Sequence, residues 1–280
     1  MEVGQPSRTA RSAAVHRAVH QVLEQGRIFT DPLAFRILGE EPGELVREAE
    51  QDPGRRRMRL FIAVRARFAE DAFGTAAAVG LRQLVILGAG LDTFAYRQSL
   101  GPEIRVFEVD HPATQAWKKE RLSAAAISIP DSLIYAPIDF ERQTLADSLA
   151  AAGFDRKEPA FFTWLGVVPY LTEDAVWTTL AAVASLPSDT QVVFDYSNPA
   201  ELLSPESRER HDERAGKVAE LGEPWITFFE TDGVRAKLQN VGFSEIEDLG
   251  PREISERYLP NRTTTSAEHG GHVVRAAKRR

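Results

Sequence analysis

The chain contains no cysteine. That excludes disulfides, thiolate-bound metals, iron–sulfur clusters and any cysteine nucleophile. It also lacks an excess of basic charge, with 34 Lys and Arg against 41 Asp and Glu and a net charge of −7. Nucleic acids and anionic membranes both require a basic footprint, so neither is an expected partner. Long hydrophobic runs are missing too. No stretch approaches the roughly 20 apolar residues of a spanning helix. The opening MEVGQPSRTARSAAVHRAVH holds no apolar segment of signal-peptide length. A cytoplasmic location is expected. There is no G-x-S-x-G elbow, no phosphate-binding P-loop and no internal repeat. What is present is ordinary globular material, 43% hydrophobic and 27% charged over 280 residues. Such a chain buries a large core without staples and suits one large domain, or one domain with a cap.

The pattern changes near residue 80. Before it the chain reads as helical. Ser7 predicts the cap of a helix whose apolar positions Val15, Val19, Val22 and Leu23 share one face. Asp31-Pro32 predicts a cap and first-turn proline for a short helix that Gly39 ends. Residues 40–54 hold Pro42, Gly43, Pro53 and Gly54 among many acids and read as a surface excursion; a long helix is expected over Arg56–Ala78. From Arg82 onward short apolar runs alternate with helical stretches. Strands are expected at Leu84–Gly90, Arg105–Asp110, Ser132–Asp139, Ala160–Gly166 and Gln191–Ser197, with weaker ones at Ser244–Gly250 and His272–Lys278. Helices are expected at Pro112–Leu122, Arg142–Ala152, Glu173–Ser185 and Asp232–Asn240. This alternation predicts an α/β fold with a mostly parallel sheet covered on both faces. Seven strands is the count of a Rossmann-like methyltransferase sheet. The expected organisation is a helical extension over residues 1–80 and an α/β core over 81–280. One connection, Asn198 to Thr231, runs for 34 residues and carries Trp225, Phe228 and Phe229. A connection that long is a functional cap or a surface helical insertion. The terminal Lys278-Arg279-Arg280 reads as a solvated tail.

The first strand ends in LVILGAG, which puts Gly88 and Gly90 where a buried strand hands over to a helix. Glycines there let backbone approach a ligand closely. Twenty-two positions after Gly88, the second strand ends in Asp110, where an acid accepts hydrogen bonds from both ribose hydroxyls of a nucleotide. Glu108, on the same strand face, is a rival; the strand end favours Asp110. A dinucleotide fingerprint requires a third glycine under the pyrophosphate, but Thr93 stands there and Asp92 adds a negative charge. That disfavours a nicotinamide-dependent oxidoreductase. It suits S-adenosylmethionine, which has no phosphate and carries an ammonium. The third strand ends Ile138-Asp139-Phe140. This pair either meets an adenine, or Asp139 simply caps the following helix.

Met58, Phe61, Arg65, Phe68 and Ala72 form one helical stripe, so Arg65 falls on an apolar face. A buried guanidinium needs a partner, either a structural carboxylate or that of an amino-acid-like ligand. Arg67 lies on another face and pairs with Asp71 at i+4. His16 and His20 share a face but lack a zincin glutamate, and read as surface or lid residues. Arg55, Arg56, Arg57 and Arg59 read as a solvated helix start. Trp164, Tyr170, Tyr196, Trp225 and Phe228 are either core or the walls of an acceptor pocket.

The runs LVILGAGLDTFAYR (Leu84–Arg97) and FEVDHP (Phe107–Pro112), with SRTA (Ser7–Ala10), DPLA (Asp31–Ala34) and VRARF (Val64–Phe68), resemble the leucine carboxyl methyltransferase-like family of S-adenosylmethionine-dependent methyltransferases. The resemblance spans nearly the whole chain. It implies a class I methyltransferase fold with a helical extension over the cofactor. It implies that Gly88, Ala89 and Gly90 line the cofactor, that Asp110 with His111 beside it holds the ribose, and that Asp139 with Phe140 meets the adenine. Arg65 would grip the methionyl carboxylate, with Arg8 assisting. Relatives that methylate a peptide C-terminus carry an acid in the fourth strand. Here that stretch reads Phe162-Thr163-Trp164-Leu165-Gly166, which puts the acceptor in doubt and leaves the methionyl ammonium without an assigned partner. The expected activity is direct methyl transfer to a carboxylate or hydroxyl of a small molecule or peptide. A non-methylating S-adenosylmethionine binder stays open. For a hydroxyl acceptor, His111 is a conceivable base, although its place beside Asp110 favours orienting the turn.

Overall fold

A computed structural model describes residues 7–97, 101, 103–139, 143–259 and 268–279. Phe140 lies outside them. The chain opens with α1 (Arg8–Leu23), α2 (Ala34–Leu38), α3 (Pro42–Gln51) and α4 (Arg56–Ala78). Then follow β1 (Gln83–Leu87), α5 (Phe94–Arg97), β2 (Arg105–Asp110), α6 (Pro112–Ala124), β3 (Leu133–Pro137), α7 (Leu145–Ala151), β4 (Phe161–Trp164), α8 (Glu173–Ala184) and β5 (Gln191–Ser197). The remainder is α9 (Pro205–Glu220), α10 (Thr231–Val241), β6 (Glu245–Leu249), α11 (Pro251–Tyr258) and β7 (Gly271–Ala277).

The strands form one seven-stranded sheet in the order β3-β2-β1-β4-β5-β7-β6. Strands β1 to β5 run parallel, and β7 is antiparallel to both β5 and β6. Alternation along β1 explains why both faces need cover. Val85 and Leu87 join one core with Val176, Leu180 and Leu238 from α8 and α10. Leu84 and Ile86 join the opposite core with Val64, Phe68 and Phe73 from α4. Helix α4 is therefore a layer of the sheet as well as part of the N-terminal helical segment. A third core, around Ala14, Ala18, Ile37 and Leu45, packs α1 to α3 onto Leu91 and Leu122. No helix among the described residues is long and apolar enough to cross a membrane.

Four expectations change. Residues 42–51 are helix, not a loose excursion, because Glu41 accepts from Gly43 N–H and Pro42 sits in the first turn, where its missing N–H costs nothing. Val22 is half exposed, whereas His20 is fully buried. The buried face of α1 is thus partly polar, and Glu24 explains it by gathering His20 (3.3 Å), Arg56 (3.2 Å) and Arg59 (2.7 Å). Arg59 is accordingly buried rather than solvated. Lys278 is no free tail; its Nζ donates to the carbonyls of Ala184 and Leu186 at the end of α8 (both 3.0 Å).

Candidate active site

In an open parallel sheet, ligands bind beyond the strand carboxyl ends where the strand order reverses. Here that point lies between β1 and β4, whose connections leave in opposite directions. A cavity of about 1690 Å³ opens there. Its lining includes Gly88, Ala89, Gly90, Asp110, His111, Asp139, Arg65 and the end of β4.

The turn after β1 needs both glycines. Gly88 (φ +64°) and Gly90 (φ +44°) are left-handed. A Cβ on Gly88 would stand 2.4 Å from Val167 Cγ2, and one on Gly90 would stand 2.9 Å from Ala10 Cβ. The turn carries Gly90 N–H to Asp110 Oδ2 (2.6 Å), while His111 N–H reaches Asp110 Oδ1 (2.6 Å). The Asp110 carboxylate is thus held at the cavity wall, with lone pairs to spare for a diol. Burial pushes its pKa above the usual carboxylate range, against those two hydrogen bonds. Its rival Glu108 is fully buried on Lys118 (2.8 Å) and Tyr96 (3.2 Å), away from the cavity. Asp92 caps α5 through Phe94 N–H (2.7 Å), and Thr93 accepts from Arg97 (3.0 Å).

Arg65 is largely buried and donates to Asp195 Oδ2 (2.9 Å), whose Oδ1 accepts from Gly166 N–H (2.6 Å). Asp195 lies on β5 and lines the cavity. Of the two partners open to Arg65, the structural carboxylate is therefore present, at the cavity itself. The only signal of Asp195 in sequence is one charge inside the apolar run QVVFDYS.

The remaining predicted positions divide. Trp164, Tyr170, Trp225 and Phe228 line the cavity. Tyr196 does not, because it is 1% exposed, donates to Asp248 (2.8 Å) and stacks on His272 (4.7 Å between centroids). It is a core residue, fixed by the sheet face on which β5 places it. Arg8 points outward, and its backbone N–H binds Glu223 (3.2 Å). His111 Nδ1 accepts from Ala113 N–H (3.2 Å) and caps α6. His16, read as a surface or lid residue, is buried and lines the cavity. Burial and the nearby Arg55, Arg59, Arg65 and Arg214 guanidiniums hold its pKa down at about 4. The 198–231 segment contains α9, and with its Trp225 and Phe228 it lines one wall of the cavity.

A seven-stranded sheet of this order, with a glycine turn and a ribose-type acid at its switch point, defines a Rossmann-like methyltransferase fold. The sequence profile of the leucine carboxyl methyltransferase family matches residues 10–184. The chain belongs to that family and is an S-adenosylmethionine-dependent methyltransferase. It is 29% identical to the Bacillus subtilis protein named "Putative S-adenosyl-L-methionine-dependent methyltransferase YktD", across 100% of both chains. A Frankia alni protein of the same description, FRAAL3718, is 35% identical over 64% of each chain. A solved Thermobifida fusca structure, described as a putative methyltransferase, superposes with a TM-score of 0.60 over 100% of this chain and 97% of that one, at 16% identity.

Proposed function

We propose that this enzyme transfers a methyl group directly to an oxygen, carboxylate or hydroxyl, of a small molecule or peptide. The observation that carries this reading is the cavity of about 1690 Å³, lined by both the glycine turn and the aromatic residues of the cap. A drug-sized ligand fills roughly 300–1,000 Å³. The cavity therefore has room for a cofactor against the glycine turn and an acceptor beneath the aromatic cap.

The donor groups fit S-adenosylmethionine. Asp110 faces the ribose hydroxyls, and Asp139, at the cavity edge beyond β3, faces the adenine. Arg65 takes the methionyl carboxylate, and Asp195 offers the ammonium the acid that β4 lacks. When bound, S-adenosylmethionine supplies a methyl group activated by its sulfonium. The chain contributes alignment and exclusion of water. Residues 1–80 serve in this reading as extension and lid, and a cytoplasmic location fits a small-molecule acceptor.

A carboxylate acceptor needs no base. A hydroxyl must lose its proton, and His16 is the group placed to take it. It lines the cavity and is neutral at pH 7. His111 is unsuited, since its Nδ1 lone pair is occupied by the α6 cap. Calorimetry with S-adenosylmethionine and with NADH tests the reading, followed by a screen for S-adenosylhomocysteine formation. Tight binding of S-adenosylmethionine alone is expected. Binding of NADH in its place would overturn it.

A further inference from the structure

The inner face of the cap carries a charge that the cofactor does not need. Along α9 the half-buried Ser207, Arg210, His211, Arg214 and Val218 share the stripe of one helix face. All five line the cavity, as does Arg57 at the start of α4. This cationic stripe sits inside a protein of net charge −7. Arg210 is paired with Glu206 and also donates to Ser207 Oγ (3.2 Å). Among the described residues Arg214 has only the Gly54 carbonyl as hydrogen-bond partner (2.7 Å). Among the described residues, no carboxylate lies within ion-pairing range of Arg57 or Arg214. Burial and the fields of Arg210 and Arg57 lower the pKa of Arg214, against the pull of Asp52 and Glu213. A partly desolvated guanidinium with no carboxylate in contact, facing a cavity, is a binding site awaiting an anion.

Its place separates it from the cofactor. Arg57 and Arg65 lie on the same helix eight residues apart, which is about 12 Å along the axis at 1.5 Å per residue. Aromatic rings line the cavity beside the arginines. Trp225 and Phe228 pack on His211 with centroids 5.6 and 5.2 Å apart, and Phe61 also lines the cavity.

We infer that the methyl acceptor is an amphipathic oxyacid. Its carboxylate or phosphate is anchored by Arg57 and Arg214, with Arg210 beside them. Its apolar body lies against Trp225 and Phe228, and a separate oxygen reaches the methyl group. The anion is an anchor and not the methylated group, because Arg57 stands about 12 Å along α4 from Arg65. This inference rests on the methyltransferase reading above for the role of the ligand, but the anion site itself does not.

The test is a titration of the full chain, followed by tryptophan fluorescence, with phenylacetate, phenyl phosphate and the neutral phenylacetamide. It is run with and without saturating S-adenosylhomocysteine. At least one anion should bind ten-fold or more tighter than the amide, and the tighter of the two identifies carboxylate or phosphate. The R57M/R214M variant should lose that preference while binding S-adenosylmethionine within two-fold of the parent in calorimetry. If the double variant fails to fold, R57M alone, at an exposed side chain, should reduce the preference at least three-fold. Equal affinity for acids and amide, or a preference that survives the substitutions, overturns the inference. Loss of S-adenosylmethionine binding by the parent would instead sink the methyltransferase reading and leave the anion preference standing.

Discussion

At Gly88 the backbone holds φ +64°, and a methyl group there would stand 2.4 Å from Val167 Cγ2. Gly88→Ala therefore meets two penalties, left-handed strain and overlap, together roughly 2–4 kcal/mol in urea unfolding. Val167→Ala relieves only the overlap. The double variant should fall short of the sum of the singles by roughly 1–3 kcal/mol; strict additivity would show that Val167 is not the obstacle. Asp110 gives a second prediction. Asp110→Asn keeps an acceptor for only one of the Gly90 and His111 amides, because its Nδ2 is a donor, and it loses the charge offered to the ribose. S-adenosylmethionine affinity should drop roughly 10- to 100-fold by calorimetry with circular dichroism unchanged. An unaltered Kd would remove Asp110 from the ribose. These residues were legible in the sequence because a strand, a turn and a second strand fix their spacing. Asp195 and His16 were not. Each faces the cavity only because segments distant in sequence meet there, Gly166 and Arg65 at Asp195 and the Arg65 and Arg214 guanidiniums near His16. Tyr196 stayed open between core and pocket for a related reason, since alternation along a strand names two faces without saying which one a ligand shares.

The cap, residues 198–231, is an element with two fastenings. At its base Asn198 Nδ2 donates to Phe229 O (3.0 Å) and Thr231 Oγ1 (3.3 Å), which ties its two ends together. At its tip the Glu223 carboxylate accepts from Arg8 N–H (3.2 Å), Thr9 N–H (3.1 Å) and the Ser7 hydroxyl (3.4 Å). A carboxylate on the open N–H groups of α1 also meets the positive end of the helix dipole. Glu223→Ala should cost about 1 kcal/mol locally. Amide exchange across the first turn of α1 and residues 221–226 should rise roughly five-fold, while exchange in β1 and β4 stays as it was. Protection unchanged at the first turn of α1 would mean the latch is idle. The long cap connection was legible from its length alone. Its helix α9 was legible only as one alternative, a surface helical insertion, because the apolar stripe that marks a packed helix is replaced by arginines facing a cavity. The strands were legible to within a few residues because buried parallel strands are continuous apolar runs. Helix α3 escaped because its prolines and glycines resemble loop punctuation.

Across the whole molecule, buried charge ties the first helices to the sheet layers. Arg17 joins Asp31 (3.1 Å) and the Leu91 carbonyl (2.6 Å), and Arg97 approaches Asp31 (3.5 Å). Glu24 binds Arg59, and although burial opposes it, hydrogen bonds from His20 and Arg59 pull its pKa down to about 2. Stability contributed by Glu24 is present above its unfolded pKa of 4.5 and is lost as the pH falls toward 2. Between pH 4 and 7 several groups compete. Glu70, pushed up to about 7 by burial against its Arg97 partner, binds its proton more tightly folded than unfolded, so its contribution falls as the pH rises from 4.5 to 7. His16 does the reverse. Its folded pKa of about 4 lies below the unfolded 6.5, so the unfolded chain binds more protons, and stability is lost as the pH falls from 6.5 to 4. The full swing from His16 is up to about 3 kcal/mol. A difference between two proteins isolates it from the carboxyls. His16→Asn cannot titrate, so its stability relative to the parent should improve on going from pH 7 to pH 4 by up to about 3 kcal/mol in urea midpoints. A gap that stays constant over that range would place His16 in water rather than in the cationic wall of the cavity.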